Sequence, residues 1–236
     1  MYIQNRIAAI ALRCLCLYAA AYSLTVLTDV LHGGYTHRML AYYTNLSSIV
    51  LMFYLFASIF HTGYGLYKYG NRGTSTLFTG LKRAFVMMVT ITFLVYHFIL
   101  VPTAFRMNLT YHVHSLPDIL IHYVVPLGFI LDWLLFDEKG KTRWFDPLTW
   151  LLLPLAYLVF VYIRAEVGQP LNSAGVRFPY FFLDIDRLPA GQVAAYIAIC
   201  AAAVVVIGYF YMFLDRLLTR ARSLANLKAR DHGNQF

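Results

Sequence analysis

Charged side chains are scarce: Asp, Glu, Lys and Arg make up 13% of the 236 residues, where a soluble domain carries about 25%. That scarcity excludes a disordered chain, which stays unfolded through high charge and low hydrophobicity. Cysteine is almost as rare, at three, which is odd in number and too few for a disulfide scaffold. Cys14, Cys16 and Cys200 fall in apolar stretches and read as small buried hydrophobes. Fourteen Gly and eight Pro exclude a collagen-like repeat. No internal repeat appears, and no basic stripe interleaves with aromatics as a nucleic-acid surface would. The first apolar stretch runs long, with no Ala-x-Ala-like exit before Asp29, so no cleavable signal peptide is expected.

What is present is hydrophobic. Apolar residues reach 60%, mean hydropathy is +0.61, and nineteen Tyr, eighteen Phe and three Trp exceed what a small water-soluble core hides. The composition is that of an integral membrane protein. A helix needs about 20 apolar residues to cross some 30 Å of hydrocarbon. Charge-poor windows of that size run over 7–31, 40–62, 82–104, 116–136, 147–165 and 190–214. The expected fold is an all-α bundle of six transmembrane helices spanning 1–215, with a basic tail over 216–236. The tail reads as a helical extension or a membrane-surface segment.

Cytoplasmic loops carry the excess of Lys and Arg. With the N-terminus inside, the inner set is Arg6, Lys68, Arg72, Lys82, Arg83, Lys139, Lys141, Arg143, Arg216, Arg220, Arg222, Lys228 and Arg230. The outer set is Arg38, Arg106, Arg164, Arg177 and Arg187. Thirteen against five places both termini in the cytoplasm, and the net charge of +8 reads as topology rather than as an affinity for nucleic acid. Two loops are long. Residues 65–81 form a flexible connection, and 166–189 hold Phe178-Pro179-Tyr180-Phe181-Phe182, an interfacial anchor or a cap over the bundle mouth. No pair of broken helices marks a secondary transporter.

Ionisable groups inside a bilayer are costly and point to function. Thr44 and His122 lie on spans running in the same direction, each roughly 7–9 Å below the outer boundary. His97 reaches the same level, and Asp29, Arg164 and Asp184 stand at outer ends. Ser47 and Ser48 follow Thr44 at i+3 and i+4, on one helix face; such hydroxyls also serve helix packing. A threonine hydroxyl becomes a nucleophile when a base takes its proton, and imidazole suits that task. Asp118, one turn before His122, either orients the ring or caps the helix start towards water. Helix-start N–H groups favour developing negative charge, but at the depth expected for Thr44 they are mostly engaged. Arg13 and Asp132 share an inner depth and are expected to pair. His112-x-His114 lacks a third metal ligand, and Asn108-Leu109-Thr110 matches a glycosylation sequon.

Several fragments come in one order: Tyr43-Thr44-Asn45-Leu46-Ser47-Ser48, then His122-x3-Pro126-x5-Asp132-Trp133, then Trp150-x3-Pro154-x2-Tyr157, then Phe178-Pro179-Tyr180 with Phe182-Leu183-Asp184. In this the chain resembles the bacterial branch of the six-span androgen-induced membrane protein family. Animal members of that family are threonine hydrolases of fatty acid esters of hydroxy fatty acids. The resemblance implies Thr44 as nucleophile, His122 as its partner, a membrane lipid ester as substrate, and a bacterial plasma (inner) membrane location. Leu46 and Ser48 stand where bacterial relatives often carry amides. Substrate-binding or orienting roles are expected for Ser47, Ser48, His97, Asp118 and Asp184, with no metal or other cofactor. Two further classes compete with this hydrolase. One is a zinc or haem protein ligated by His97, His112, His114 and His122; the other is a non-catalytic lipid-binding or transport protein.

Overall fold

A computed structural model describes residues 2–32, 37–106, 114–172 and 174–233. Among these residues the chain is all helical, with six helices long and apolar enough to cross a membrane: α1 (Arg6–Leu27), α2 (Tyr43–Tyr69), α3 (Thr79–Thr103), α4 (Leu116–Phe136), α5 (Asp146–Val167) and α6 (Ala190–Ala221). The chain is a multi-pass membrane protein. The last helix runs unbroken to Gly233, so no boundary of secondary structure separates the bundle from the basic tail. Local chemistry sets several starts. The Asn5 side chain accepts from the Ala8 N–H at 3.0 Å and caps α1. Prolines lie in the first turns of α4 and α5, where a missing N–H costs nothing.

Two of the deeper prolines, in α3 and α4, reshape their helices. A proline ring clashes with the carbonyl four residues back, which is Phe98 for Pro102 and His122 for Pro126. Each of these carbonyls lies in a turn widened to the π form, Tyr96–Leu100 in α3 and Leu120–Val124 in α4. Such turns are rare and often occur at functional sites.

α1 to α4 form the core, in which Cys16, Ala19, Ala20, Leu51, Leu55, Val86, Phe129 and Trp133 pack together. A methyl added to Gly128 would meet the Cys16 sulfur at 2.6 Å, so α1 and α4 touch almost backbone to side chain there. Buried residues make up 39–44% of the apolar window in α1–α4, but 17% in α5 and 11% in α6. The outer helices therefore lean on a preformed four-helix unit. Cys14, expected to be buried, is exposed on the outer face of α1, while Cys16 is buried and Cys200 half-buried; residues two apart on a helix face different ways.

The bundle end that holds the chain start is tied by ions. The Arg13 Nε sits 3.0 Å from Asp132 Oδ1, the pairing expected from their shared depth, and Arg13 also donates to Thr62 Oγ1 at 2.7 Å. Lys82 and Arg83, counted as loop charges in the sequence, lie inside α3 and are buried. Lys82 Nζ bridges Asp132 Oδ2 at 2.6 Å and Asp137. Charges at that end tuck inwards because partners on α1 and α4 wait there. The loop after α2 wraps Arg6, which donates to the Gly70 carbonyl at 2.6 Å. Gly73, at φ +133°, holds a backbone conformation that side-chain-bearing residues rarely adopt, and a Cβ there would have to displace that guanidinium. The opposite, distal end holds the start of α2, the π turns and residues 174–189.

Candidate functional site

A half-open cleft of about 450 Å³ lies between α2 and α3 on one side and α5 and α6 on the other, a size typical of small-molecule sites. Its walls are almost wholly apolar, interrupted by Thr44, Thr92 and tyrosines 43, 96, 157 and 180. Tyr180, Leu183, Tyr157 and Ile197 belong to the cluster that closes its distal end. Met87, Trp150 and Val204 form the cluster at its floor, Val204 lining the cleft itself. Phe98 and Ile199 line the cleft and are also exposed on the bundle's apolar exterior, so it opens sideways towards lipid.

Thr44 stands in this wall, 6% exposed. The helix begins at Tyr43 rather than near residue 40, which makes Thr44 its second residue. Its N–H is therefore among the four that a helix start leaves without an internal acceptor, contrary to the expectation that these groups are engaged. The neighbouring Tyr43 N–H donates to the Tyr180 hydroxyl at 3.1 Å. Burial pushes the Tyr180 phenol well above the usual tyrosine range, against hydrogen bonds from the Tyr43 backbone and the Thr44 and Tyr157 side chains. The aromatic run over 178–182 thus caps the bundle mouth and reaches Thr44. Among the described residues the buried Tyr43 hydroxyl has no hydrogen-bond partner.

His122 and Asp118 form the second element. Asp118 is fully buried. Its Oδ1 lies 3.0 Å from His122 Nδ1, its Oδ2 accepts the His114 N–H at 3.0 Å, and the Tyr96 hydroxyl donates to it. The carboxylate thus fills both roles left open by the sequence, tying down the helix start and orienting the imidazole, but it does not face water. The Tyr96 ring lies on the His122 ring at 3.7 Å between centroids and 13° between planes. Tyr96 lines the cleft whereas His122 does not. No hydrogen bond joins the Thr44 hydroxyl to the His122 ring; Tyr96 is the residue that touches both the cleft and the imidazole.

The other sequence candidates lie elsewhere. The Ser47 hydroxyl bonds the Thr44 carbonyl at 3.0 Å and Thr92 Oγ1 at 3.3 Å, a helix-packing role at the edge of the site, and Ser48 is buried away from the cleft. His97 is exposed, its Nδ1 3.1 Å from the Tyr123 hydroxyl. Asp184 shapes the turn before α6, accepting from the Asp186 N–H at 3.0 Å and pairing with Arg187 at 3.5 Å. Arg164 donates to the Arg177 carbonyl at 2.9 Å and fastens the loop. His112 and the 108–110 sequon lie outside the described residues. Among the described residues no group of three or more His, Cys, Asp or Glu side chains is placed to hold a metal.

No family model matches the chain, and neither a curated protein nor a solved structure is detectably similar to it. The sequence analysis missed Tyr96, one of nineteen tyrosines, and named Tyr157 and Tyr180 within ordered fragments without a site role for either. A signal existed for Tyr96: it opens the turn that Pro102 widens, as His122 sits in the turn that Pro126 widens.

Proposed function

We propose that the protein is an intramembrane threonine-type hydrolase of a membrane lipid ester, the activity implied by its resemblance to the androgen-induced membrane proteins. The observation that carries this is Thr44 in the wall of a lipid-facing apolar cleft, one stacked tyrosine from a buried imidazole–carboxylate pair. An apolar cleft holds hydrocarbon by burial, and its few hydroxyls orient the ester.

In the proposed reaction the Thr44 oxygen bonds to the ester carbonyl carbon while its proton passes to His122 Nε2. Nδ1 stays on Asp118, whose negative charge stabilises the imidazolium. The Thr44 and Asn45 N–H groups in the first α2 turn offer donors to the oxyanion. The carbon–oxygen bond to the alcohol then breaks, and the imidazolium protonates the departing alkoxide, leaving acyl-threonine. Water adds to that acyl carbon, giving its proton to His122. The threonine oxygen departs, takes the proton back, and a carboxylic acid is released. The path between Thr44 and the imidazole runs past Tyr96, so entry of the ester shifts that ring; catalytic hydrogen bonds often tighten only with substrate in place. The excess of basic residues in alternate loops supports cytoplasmic termini, and in the bacterial inner membrane implied by the resemblance such an orientation turns the cleft mouth towards the outer leaflet.

A fluorophosphonate probe tests the assignment on purified protein. Labelling of wild type that is lost in Thr44→Ala and falls steeply in His122→Ala is expected. Equal labelling of all three removes Thr44 as nucleophile.

A further inference from the structure

We infer that Tyr180 donates its phenolic proton in a hydrogen bond to the ester carbonyl oxygen, completing an oxyanion site with the Thr44 and Asn45 N–H groups. This rests on the hydrolase reading above, and adds the side chain that meets the developing charge. Three observations carry it. The first is position: Tyr180 lines the cleft, and its oxygen accepts the Tyr43 N–H at 3.1 Å. Tyr43 and Thr44 are consecutive, so that oxygen stands at the first turn of α2, beside the proposed nucleophile and the N–H groups without internal acceptors. The second is a spare donor. Among the described residues no hydrogen bond takes the Tyr180 proton, whereas Tyr96 gives its own to Asp118. The other unpaired cleft hydroxyl, on Tyr43, has no bond that ties it to the helix start. The third is a fixed ring: Tyr180 is 5% exposed, stacks on Phe182 at 5.3 Å and 9°, and meets Tyr42 edge-on at 6.0 Å. A donor already in place needs no reorganisation when charge develops.

The chemistry selects a donor and not a base. Burial holds the phenol above the ordinary tyrosine range, so Tyr180 keeps its proton at neutral pH and leaves proton abstraction to His122. An oxygen that accepts hydrogen bonds has a more polarised O–H, and the bond it donates strengthens. As the Thr44 oxygen bonds to the carbonyl carbon, the π pair of the C=O bond moves onto the carbonyl oxygen. That oxygen becomes the stronger acceptor, and the bond from Tyr180 tightens while the proton stays on the phenol. When the alkoxide departs, the pair returns and the C=O bond forms again. Attack of water on the acyl-threonine repeats the cycle. The aromatic run over 178–182 thus carries a donor to the nucleophile as well as closing the bundle mouth.

The test uses full-length protein in nanodiscs and 4-nitrophenyl octanoate. Tyr180→Phe keeps the ring and removes the donor. kcat should fall by roughly 10²–10³-fold, the usual loss for one oxyanion donor, while KM stays within about threefold. A kcat within about threefold of wild type, or a loss carried by KM alone, overturns the donor, since a tyrosine that only shapes the cleft acts on binding. If Tyr180→Phe does not fold, 3-fluorotyrosine at position 180 keeps the oxygen and makes its O–H a stronger donor. kcat should then rise, and an unchanged or lower kcat overturns the assignment. Infrared spectra separate the donor from the reaction. With methyl octanoate labelled by carbon-13 at its carbonyl, the carbonyl stretch should lie at lower wavenumber in Thr44→Ala than in Thr44→Ala/Tyr180→Phe, and lower still with 3-fluorotyrosine. Equal wavenumbers overturn the donor. Wild type that turns over no ester overturns the hydrolase; the hydrogen bond from Tyr180 to a bound carbonyl then stands or falls on the infrared shift.

Discussion

At the basal end of the bundle Arg13, Lys82, Asp132 and Asp137 are buried and joined to one another across α1, α3 and the end of α4. At the distal end Asp118 is buried just as deeply and His122 nearly so, but Tyr96, stacked on the imidazole, also lines a cleft of about 450 Å³. The basal cluster has two cations for two anions and packs against solid protein; the distal pair has an empty volume one ring away. Burial of charge inside a membrane protein signals cost, and the cost is met either by mutual pairing or by a use. Room for a ligand beside the charge distinguishes the two. Depth in the sequence does not, since Arg13 and His122 both occupy apolar spans.

The sharpest way to break this comparison is to unpair the basal network. Asp132→Ala strands the Arg13 cation and leaves Lys82 with Asp137 alone, and should cost about 3–5 kcal/mol, seen as loss of folded protein or a much lower melting temperature in detergent. A melting curve like that of wild type would mean the network does not hold the bundle. At the distal end the opposite balance is expected. His122→Gln should lower fluorophosphonate acylation by roughly 10²–10⁴-fold. Its amide still faces Asp118, so stability should change by only about 1 kcal/mol, or roughly 2–4 °C.

Asp118→Asn sharpens the contrast further. It keeps the size and buried position but removes the charge that steadies the imidazolium, so acylation should fall by roughly tenfold to a hundredfold, the worth of a hydrogen bond to a charged group. An unchanged rate would make Asp118 a helix cap alone. The smallest effect concerns Lys139, whose Nζ donates to the Trp133 and Asp137 carbonyls at 2.6 and 2.9 Å. Burial, above all, brings its ammonium down to about 8, with Asp137 and Asp215 opposing. Between that value and the ordinary lysine range the unfolded chain holds a proton that the folded one has released, so stability rises with pH across that interval. Lys139→Met should remove that rise, and a melting temperature with the same pH dependence in both proteins would contradict it.

Much of the architecture was readable in the residues. Six charge-poor stretches of about 20 residues leave no other way to satisfy backbone groups in hydrocarbon, and the spans α2 to α6 start or end within a few residues of those windows. The Arg13–Asp132 pair followed from two opposite charges at one depth. Lys82 was misplaced in a loop because sequence position near a span end does not say whether a side chain turns out to water or in to a partner. The candidate site was half legible. Asp118 and His122 are one helical turn apart, so local geometry brings them together. Ser48, His97 and Asp184 carry the same chemistry at similar depth but face away from the cleft, and a single sequence gives depth far better than rotation about a helix axis.

The sequence by itself determined the bilayer as solvent, the number of spans and the inventory of groups able to do chemistry, because hydrophobicity and helical rise depend only on residue type and spacing. Which of those groups share a cavity was decided by tertiary packing. Tyr96 covering His122, Tyr180 folding back onto the start of α2, and α6 standing off far enough to leave a cleft all depend on how helices distant in sequence rotate and lean, and no local rule fixes that.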